Sequence, residues 1–400
     1  MTRTELIVLA VASVLVVGVH LVLAWRLFGR GSGLWRWRRY GWGALVLSAA
    51  LILLAFPGGN HLPRTGELLS FQYVGFFVMG VVLILFPLTI ARDVALLLRR
   101  TARAFARGGS PAGADEPALA SRRAFLRRVS SLGVIGSSSA LASAGAVQAR
   151  QLAEVHRVKV PIEGLHPDLA GLRIAQISDL HVGPILGRAW LDQVVSAVNH
   201  LRPDLIAVTG DLADGAVDDL REDVAALRRL RAPHGVYFVT GNHEYYWDAL
   251  AWVDEVRRLG LDVLVNEHRV LTRGAARWIV AGVTDYSARS ILRRHASDPA
   301  KAVAGAPEAD LRILLAHQPK SVFAARKLDI DLQLSGHTHG GQFFPWNLVI
   351  GFFQPLAKGL GRFDHTWLYV SRGTGTWGPP LRTVPAEITE LELVPAERVS

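Results

Sequence analysis

The 400-residue chain contains no cysteine. Disulfides, thiolate metal sites and cysteine nucleophiles are therefore excluded; export into an oxidising space is compatible with this absence but not required by it. Acidic residues are also in short supply, with 34 Asp and Glu against 44 Lys and Arg and a formal net charge of +10. That balance would suit a nucleic-acid binder, but much of the excess lies in arginines beside apolar segments: Arg36, Arg38 and Arg39, then Arg99, Arg100, Arg103 and Arg107. Basic residues bordering apolar runs point instead to a membrane surface. A lipid bilayer is the expected partner and no nucleic acid is expected; the sequence names no protein partner. Long apolar runs are lacking after about Arg150, where the chain reads as an ordinary soluble α/β protein. The length suits more than one part, here an apolar front and a soluble back.

Residues 6–27 are almost entirely apolar, enough to cross a bilayer, which takes about 20 residues. Two further candidate spans lie at about 40–57 and 71–90, the latter containing Pro87, which a membrane helix tolerates. Trp25, Trp35, Trp37, Tyr40 and Trp42 cluster at the expected membrane edge, where amphipathic rings settle. Arginine distribution sets the orientation: 26–39 and 92–128 are expected in the cytoplasm, and 58–70 outside. Residues 108–118 (GGSPAGADEPA) read as a flexible linker. Ser121-Arg122-Arg123-Ala124-Phe125-Leu126-Arg127 then resembles a twin-arginine export signal. A Ser/Ala/Gly-rich apolar stretch follows at 129–149, ending in Val147-Gln148-Ala149, similar to a signal-peptidase site. Whether this segment is a signal or a plain fourth anchor helix, it runs outward. The expected parts are thus 1–100 as transmembrane helices, 101–150 as linker plus signal or anchor, and 151–400 as an extracytoplasmic catalytic domain.

From Leu172 one pattern recurs, a short β-rich apolar run closed by a polar turn. Such runs lie at 173–177, 205–209, 236–240, 278–283, 311–316 and 330–334, with helical periodicity at 189–200 and 220–230. Alternating strands and helices imply a layered α/β domain, and two late runs, 366–371 and 388–394, are expected to add antiparallel strands. The turns read Asp179-Leu180-His181, Gly210-Asp211, Gly241-Asn242-His243-Glu244, Ala316-His317-Gln318 and Gly336-His337-Thr338-His339-Gly340-Gly341-Gln342. Side chains at strand ends share one sheet edge and can converge there despite their distance in sequence.

This ordered set, D-x-H, G-D, G-N-H-E, a lone His, then G-H-T-H-G-G, resembles the calcineurin-like metallophosphoesterase family. It is most similar to the membrane-associated branch of YkuE-like and YaeI-like phosphodiesterases, as is the late Ser371-Arg372-Gly373-Thr374-Gly375. The resemblance covers about 220 residues and implies a layered αββα sandwich around two metal ions. By the family's pattern Asp211 bridges the ions; Asp179, His181 and His339 complete the first site, and Asn242, His317 and His337 the second. Asp, Asn and His ligands without sulfur suit Mn, Fe or Zn. A metal-bridging water would then attack phosphorus, with His243 protonating the leaving oxygen.

Other polar residues receive plainer readings. His20, His61, His156, His166, His200, His234, His268, His295 and His365 are read as structural. Glu244 is expected to support a ligand, and Asp214, Asp218 and Asp219 to cap or decorate the following helix. Asp285 is read as structural, while Gln342 and Arg372 face either a substrate or a turn. The apolar run from Phe343 to Phe353 either rests on a bilayer, holds an acyl chain or packs as core.

The expected function is a membrane-anchored phosphodiesterase acting on an envelope or lipid-linked phosphate ester. The alternatives are a broad phosphomonoesterase or nucleotide-sugar pyrophosphatase, and a noncatalytic metal-binding membrane sensor.

Overall fold

A computed structural model describes residues 3–55, 66–106, 116–183 and 185–396. These form two compact units: one within Met1–Val147 together with Gly378–Leu381, the other Gln148–Trp377 with Arg382–Ser400.

In the first unit the described helices are α1 (Arg3–Phe28), α2 (Arg38–Ala55), α3 (Gly66–Ala106) and α4 (Glu116–Gln148). Each contains a stretch long and apolar enough to cross a membrane: Leu9–Phe28, Trp35–Ala55 (which begins in the 3-10 turn before α2), Ser70–Ala102 and Ser121–Gln148. Leu23, Leu27, Leu45, Ile52, Val82 and Leu85 pack α1, α2 and α3 together. Asp93 of α3 pairs with Arg92 and with Arg26 of α1, so these charges are satisfied within the bundle. Two boundaries differ from the sequence reading. α3 continues past residue 90 to Ala106, because its arginine-rich end is still made of strong helix formers. The expected linker lies mostly outside the described residues, but its last three residues already belong to α4. Pro57 and His61 also lie outside them.

The second unit is a four-layer sandwich. In chain order its strands and α-helices are β1 (Glu154–Ile162), β2 (Arg173–Ile177), α5 (Arg188–His200), β3 (Leu205–Val208), α6 (Val217–Val224), β4 (Val236–Phe238), α7 (Asn242–Tyr246), α8 (Ala249–Arg258), β5 (Asp262–Val263), β6 (Glu267–Arg273), β7 (Ala276–Gly282), α9 (Pro299–Val303), β8 (Leu311–Leu315), α10 (Val322–Ala325), β9 (Leu332–Ser335), α11 (Trp346–Val349), β10 (Gly359–Phe363), β11 (Thr366–Val370) and β12 (Glu387–Pro395). One sheet has the order β1-β12-β2-β3-β4-β5, the other β10-β11-β9-β8-β7-β6.

Strand alternation builds the layers. On β2 and β3, Ile174, Leu205 and Ala207 face the second sheet, where Trp278, Leu311 and Leu334 fill the space between sheets. Their neighbours Ala175, Ile177, Ile206 and Val208 turn outward against Leu191 and Val194 of α5, Leu220 of α6 and Trp252 of α8. On the far side, Ile279, Ala281 and Leu314 pack beneath Ala302 and Ala325. The expected αββα sandwich is therefore the observed fold.

The late strands each make the expected antiparallel pair and add a parallel one. β11 is antiparallel to β10 but parallel to β9, and β12 is antiparallel to β2 but parallel to β1. Each gained a partner the sequence reading had not assigned as a strand: β10 lies in a polar, half-exposed run, and β1 lies ahead of the first recognised motif.

Candidate metal centre

β2, β3, β4, β8 and β9 all end at one edge of the sandwich, and the motif side chains leave from the segments that follow these strands, Asn242, His243 and Glu244 from the first turn of α7. These turns are conformationally demanding. Asp179, His181, Asp211, His337 and His339 all have positive φ, between 46° and 71°, a region costly for residues with a Cβ and met mainly where a site requires it. Close packing explains two of the glycines. A Cβ on Gly241 would run into the Asp211 carboxylate, and one on Gly336 into Ser178 Oγ and Asp179 Oδ2.

The turns bring the predicted ligands together. Asp179, His181 and His339 form one group whose donor atoms lie within 4.8 Å of one another, and Asp211, His317 and His337 form another. A third group, His181, Asp211 and His243, links them. Asp211 Oδ2 is 3.2 Å from His317 Nε2 and 3.7 Å from His181 Nε2, so this carboxylate reaches both sides. Asn242 Oδ1 lies 2.9 Å from His337 Nδ1.

Donor chemistry favours cations here. Two pairs of imidazole nitrogens face each other, His181 Nε2 with His339 Nε2 at 3.2 Å and His317 Nε2 with His337 Nδ1 at 3.3 Å. Each pair can share a single proton or, in its place, hold a common cation. Burial depresses His337 and His339 to about 4, leaving both neutral and able to ligate at pH 7. Burial alone would raise Asp211, but His317 and His243 hold it well below the usual carboxylate range. An oxygen and nitrogen set of this kind fits borderline or hard divalent ions.

Surrounding groups orient these donors. His317 Nδ1 donates to the Thr209 carbonyl at 2.8 Å, which points Nε2 into the site. His337 N donates to both Asp179 oxygens at 2.9 and 3.0 Å, and His243 N to Asp211 Oδ1 at 2.9 Å. Glu244 takes the supporting place expected of it: it accepts from Asp211 N at 3.1 Å, Leu212 N at 2.7 Å and Gly241 N at 2.5 Å, tying the second motif to the third. Burial and the nearby Asp211 push its carboxyl up to about 7.

Asp214 requires a correction. It does not decorate a helix. Its Oδ1 lies 3.2 Å from His181 Nδ1 and 2.5 Å from His243 Nδ1. Burial would raise its carboxyl, but His181 and His243 hold it low. His243 is thereby fixed by Nδ1, with Nε2 turned toward the centre, 3.9 Å from Asp211 Oδ2. Burial lowers the His243 pKa, but Asp211 and Asp214 outweigh it and raise the group to about 9. The available signal was a carboxylate three residues after Asp211, inside the turn rather than in α6.

Three other residues escaped the sequence reading. Tyr246 and Trp377, both more than one-third exposed, place their rings 5.1 and 5.6 Å from that of His243. Gln342 holds Trp377 in place, donating to its carbonyl at 2.7 Å and accepting from its N–H at 3.1 Å. Buried Arg382 donates to the carbonyls of Val384 at 2.9 Å, Arg372 at 2.6 Å and Gly375, with Nη1 3.4 Å from His339 Nδ1. No motif announced it.

Arg372 is engaged by Glu387, which also accepts from Tyr369 Oη at 2.8 Å. Asp285 is buried and accepts from Gln318 Nε2, next to His317. Several of the set-aside histidines have structural partners: His200 bonds Ser196 O, His268 bonds Ala302 O, and His295 bonds Tyr245.

Comparison with known proteins bears on this geometry. The calcineurin-like phosphoesterase profile matches residues 172–341. A transmembrane protein with metallophosphoesterase domain from Danio rerio is 36% identical over 361 residues, covering 86% of this chain and 79% of the relative. Its namesake from Bos taurus is 42% identical over 269 residues, covering 64% and 60%. The uncharacterized metallophosphoesterase YkuE of Bacillus subtilis is 28% identical over 280 residues, covering 66% and 93%.

Proposed function

The chain belongs to the calcineurin-like phosphoesterase family, as a metal-dependent phosphoester hydrolase, and we propose that it is a membrane-anchored phosphodiesterase acting on an envelope or lipid-linked ester. The supporting observation is the pair of ligand groups that meet at Asp211. In this reading Asp179, His181, Asp211 and His339 hold one divalent ion, and Asp211, Asn242, His317 and His337 hold a second. Such ions supply an acidified water and neutralise charge on phosphoryl oxygens. The protein's own residues do the rest. Asp214 holds His243 by Nδ1, and His243 Nε2 delivers a proton to the leaving oxygen. Tyr246 and Trp377 flank that proton donor.

The diester preference rests on setting. Apolar helices of bilayer length and relatives named transmembrane support a membrane setting, and the outward-running arginine pattern favours the outer side, where lipid headgroups and envelope precursors are the neighbouring phosphate esters. The test is turnover of bis-p-nitrophenyl phosphate against p-nitrophenyl phosphate by the purified full-length protein with Mn²⁺. We expect the diester to be the better substrate and Asp211→Asn to abolish turnover. Faster monoester hydrolysis would replace this reading with a phosphomonoesterase; no turnover of either, with Asp211→Asn without effect, would sink the site assignment.

A further inference from the structure

The segment leaving the last ligand turn differs from the rest of the domain's surface. Residues 346–353 make a short helix, Trp346–Val349, and a 3-10 turn, Ile350–Phe352, and neither buries any side chain. Leu348 is 64% exposed, Phe352 85% and Phe353 63%, with Trp346 at 45%. Isolated apolar residues on a surface are ordinary, but this many large ones side by side mark a contact site.

The segment is a built hook, fixed at its start to the loop at Thr383 and, where it returns, to the turn that carries His337 and His339. Asn347 N donates to Phe343 O at 3.2 Å, and Phe344 N to Thr383 Oγ1 at 3.0 Å. Where the chain returns, Ala357 O accepts from Thr338 Oγ1 at 2.6 Å.

Charge indicates what covers it. Between Asp331 and Asp364 the sequence contains no acidic residue, while it keeps Lys358 and an Arg362 that is paired with Glu163 at 2.7 Å. Lys358 is exposed, and its stem passes beside Gly340 of the ligand turn. Large apolar rings with the exposed Lys358 beside them and no acid within the segment make the composition of an interfacial segment that meets anionic lipid. The same chain carries four helices of bilayer length, so a bilayer is its most concentrated neighbour.

We propose that the 346–353 hook is a lipid-bilayer contact. Leu348, Phe352 and Phe353 enter the acyl boundary, while Trp346 and Lys358 stay at headgroup depth. The ligand turn behind the hook is thereby held at the membrane surface.

Because the chain has no cysteine, Phe352→Cys offers a single thiol for a polarity-sensitive fluorophore. Leu348→Cys serves as a second, independent position, and Gln193→Cys, exposed on α5, as the control. The full-length labelled proteins are reconstituted into vesicles of phosphatidylcholine with phosphatidylglycerol, with or without bromine on the acyl chains. Brominated lipid is expected to quench the labels at 352 and 348 by about two-fold or more and to leave the label at 193 unchanged. Water-like emission at both hook positions without quenching would overturn the proposal. Blue-shifted but unquenched emission would also overturn it, since a second copy or another protein surface would then cover the hook. The readout requires no turnover, so it stands or falls apart from the phosphodiesterase reading.

Discussion

Asp214 and His243 form the pair on which the proposed chemistry turns, and they can be separated from the ligands by mutation. His243→Ala removes the proposed proton donor but no proposed ligand, so metal content should stay at the wild-type level while kcat falls by about 10²–10⁴-fold. Metal analysis beside steady-state kinetics checks this; loss of metal together with activity would show that His243 ligates. Asp214→Asn keeps the shape but weakens the anchor on Nδ1, and a smaller fall, roughly 10–100-fold, is expected. The alkaline limb of its pH–rate profile should also move, because one of the two aspartate charges that raise His243 is gone while Asp211 remains. At this scale the sequence displayed the ligand types and hid the partners. Asp179 and His337 are named by short motifs, whereas the bonds from Asp214 to two imidazoles exist only once turns from different strands meet, and Arg382 reaches three carbonyls inside the loop between β11 and β12, which no motif marks.

Strand-to-turn junctions carry the site's precision. Gly336 directly follows β9, where its bare α-carbon lies against Ser178 and Asp179 from the turn after β2. Gly336→Ala should therefore push apart the two turns that hold Asp179 and His337. We expect metal affinity to weaken by about ten-fold or more, as read by calorimetric titration, with the sheets intact by circular dichroism. Trp278 on β7 provides the contrast. It is fully buried between the sheets and far from any ligand in sequence. Trp278→Ala should cost about 3–5 kcal/mol of stability, measured by urea unfolding of the detergent-solubilised chain. Elements with strong apolar runs, β2, β3 and β8, were legible because both faces are buried and the run is continuous. β6 and β10 were not, because half-exposed strands mix polar and apolar residues without clear alternation.

For the whole molecule, the buried imidazoles and carboxylates make stability depend on metal and pH together. In metal-free protein His337 and His339 sit at about 4, below their ordinary value of 6.5. Their contribution is complete above pH 6.5 and is lost as pH falls toward 4. His243 has the opposite sign. Raised to about 9, its contribution is complete below pH 6.5 and is lost as pH rises through 9. The melting temperature of EDTA-treated protein should therefore fall on either side of a maximum near neutral pH. Added Mn²⁺ should raise the curve and flatten its alkaline side, since bound cations take over from the protons. An alkaline side that stays steep with Mn²⁺ would count against cations in this cluster. Topology has its own measurement: a reporter fused after Ser400 should be active only outside the cytoplasm. By itself, the sequence determined that the protein has an apolar front, a layered α/β back and a metal-dependent phosphoester chemistry, because hydropathy and short ligand motifs are local properties of the chain. Only the tertiary structure decided how the sheets are ordered, which carboxylate steadies His243, that Gln342 pins Trp377, and that Trp346 to Phe353 stand exposed. Each of these depends on which distant segments meet, and that is settled by the packing of two sheets rather than by any one stretch of residues.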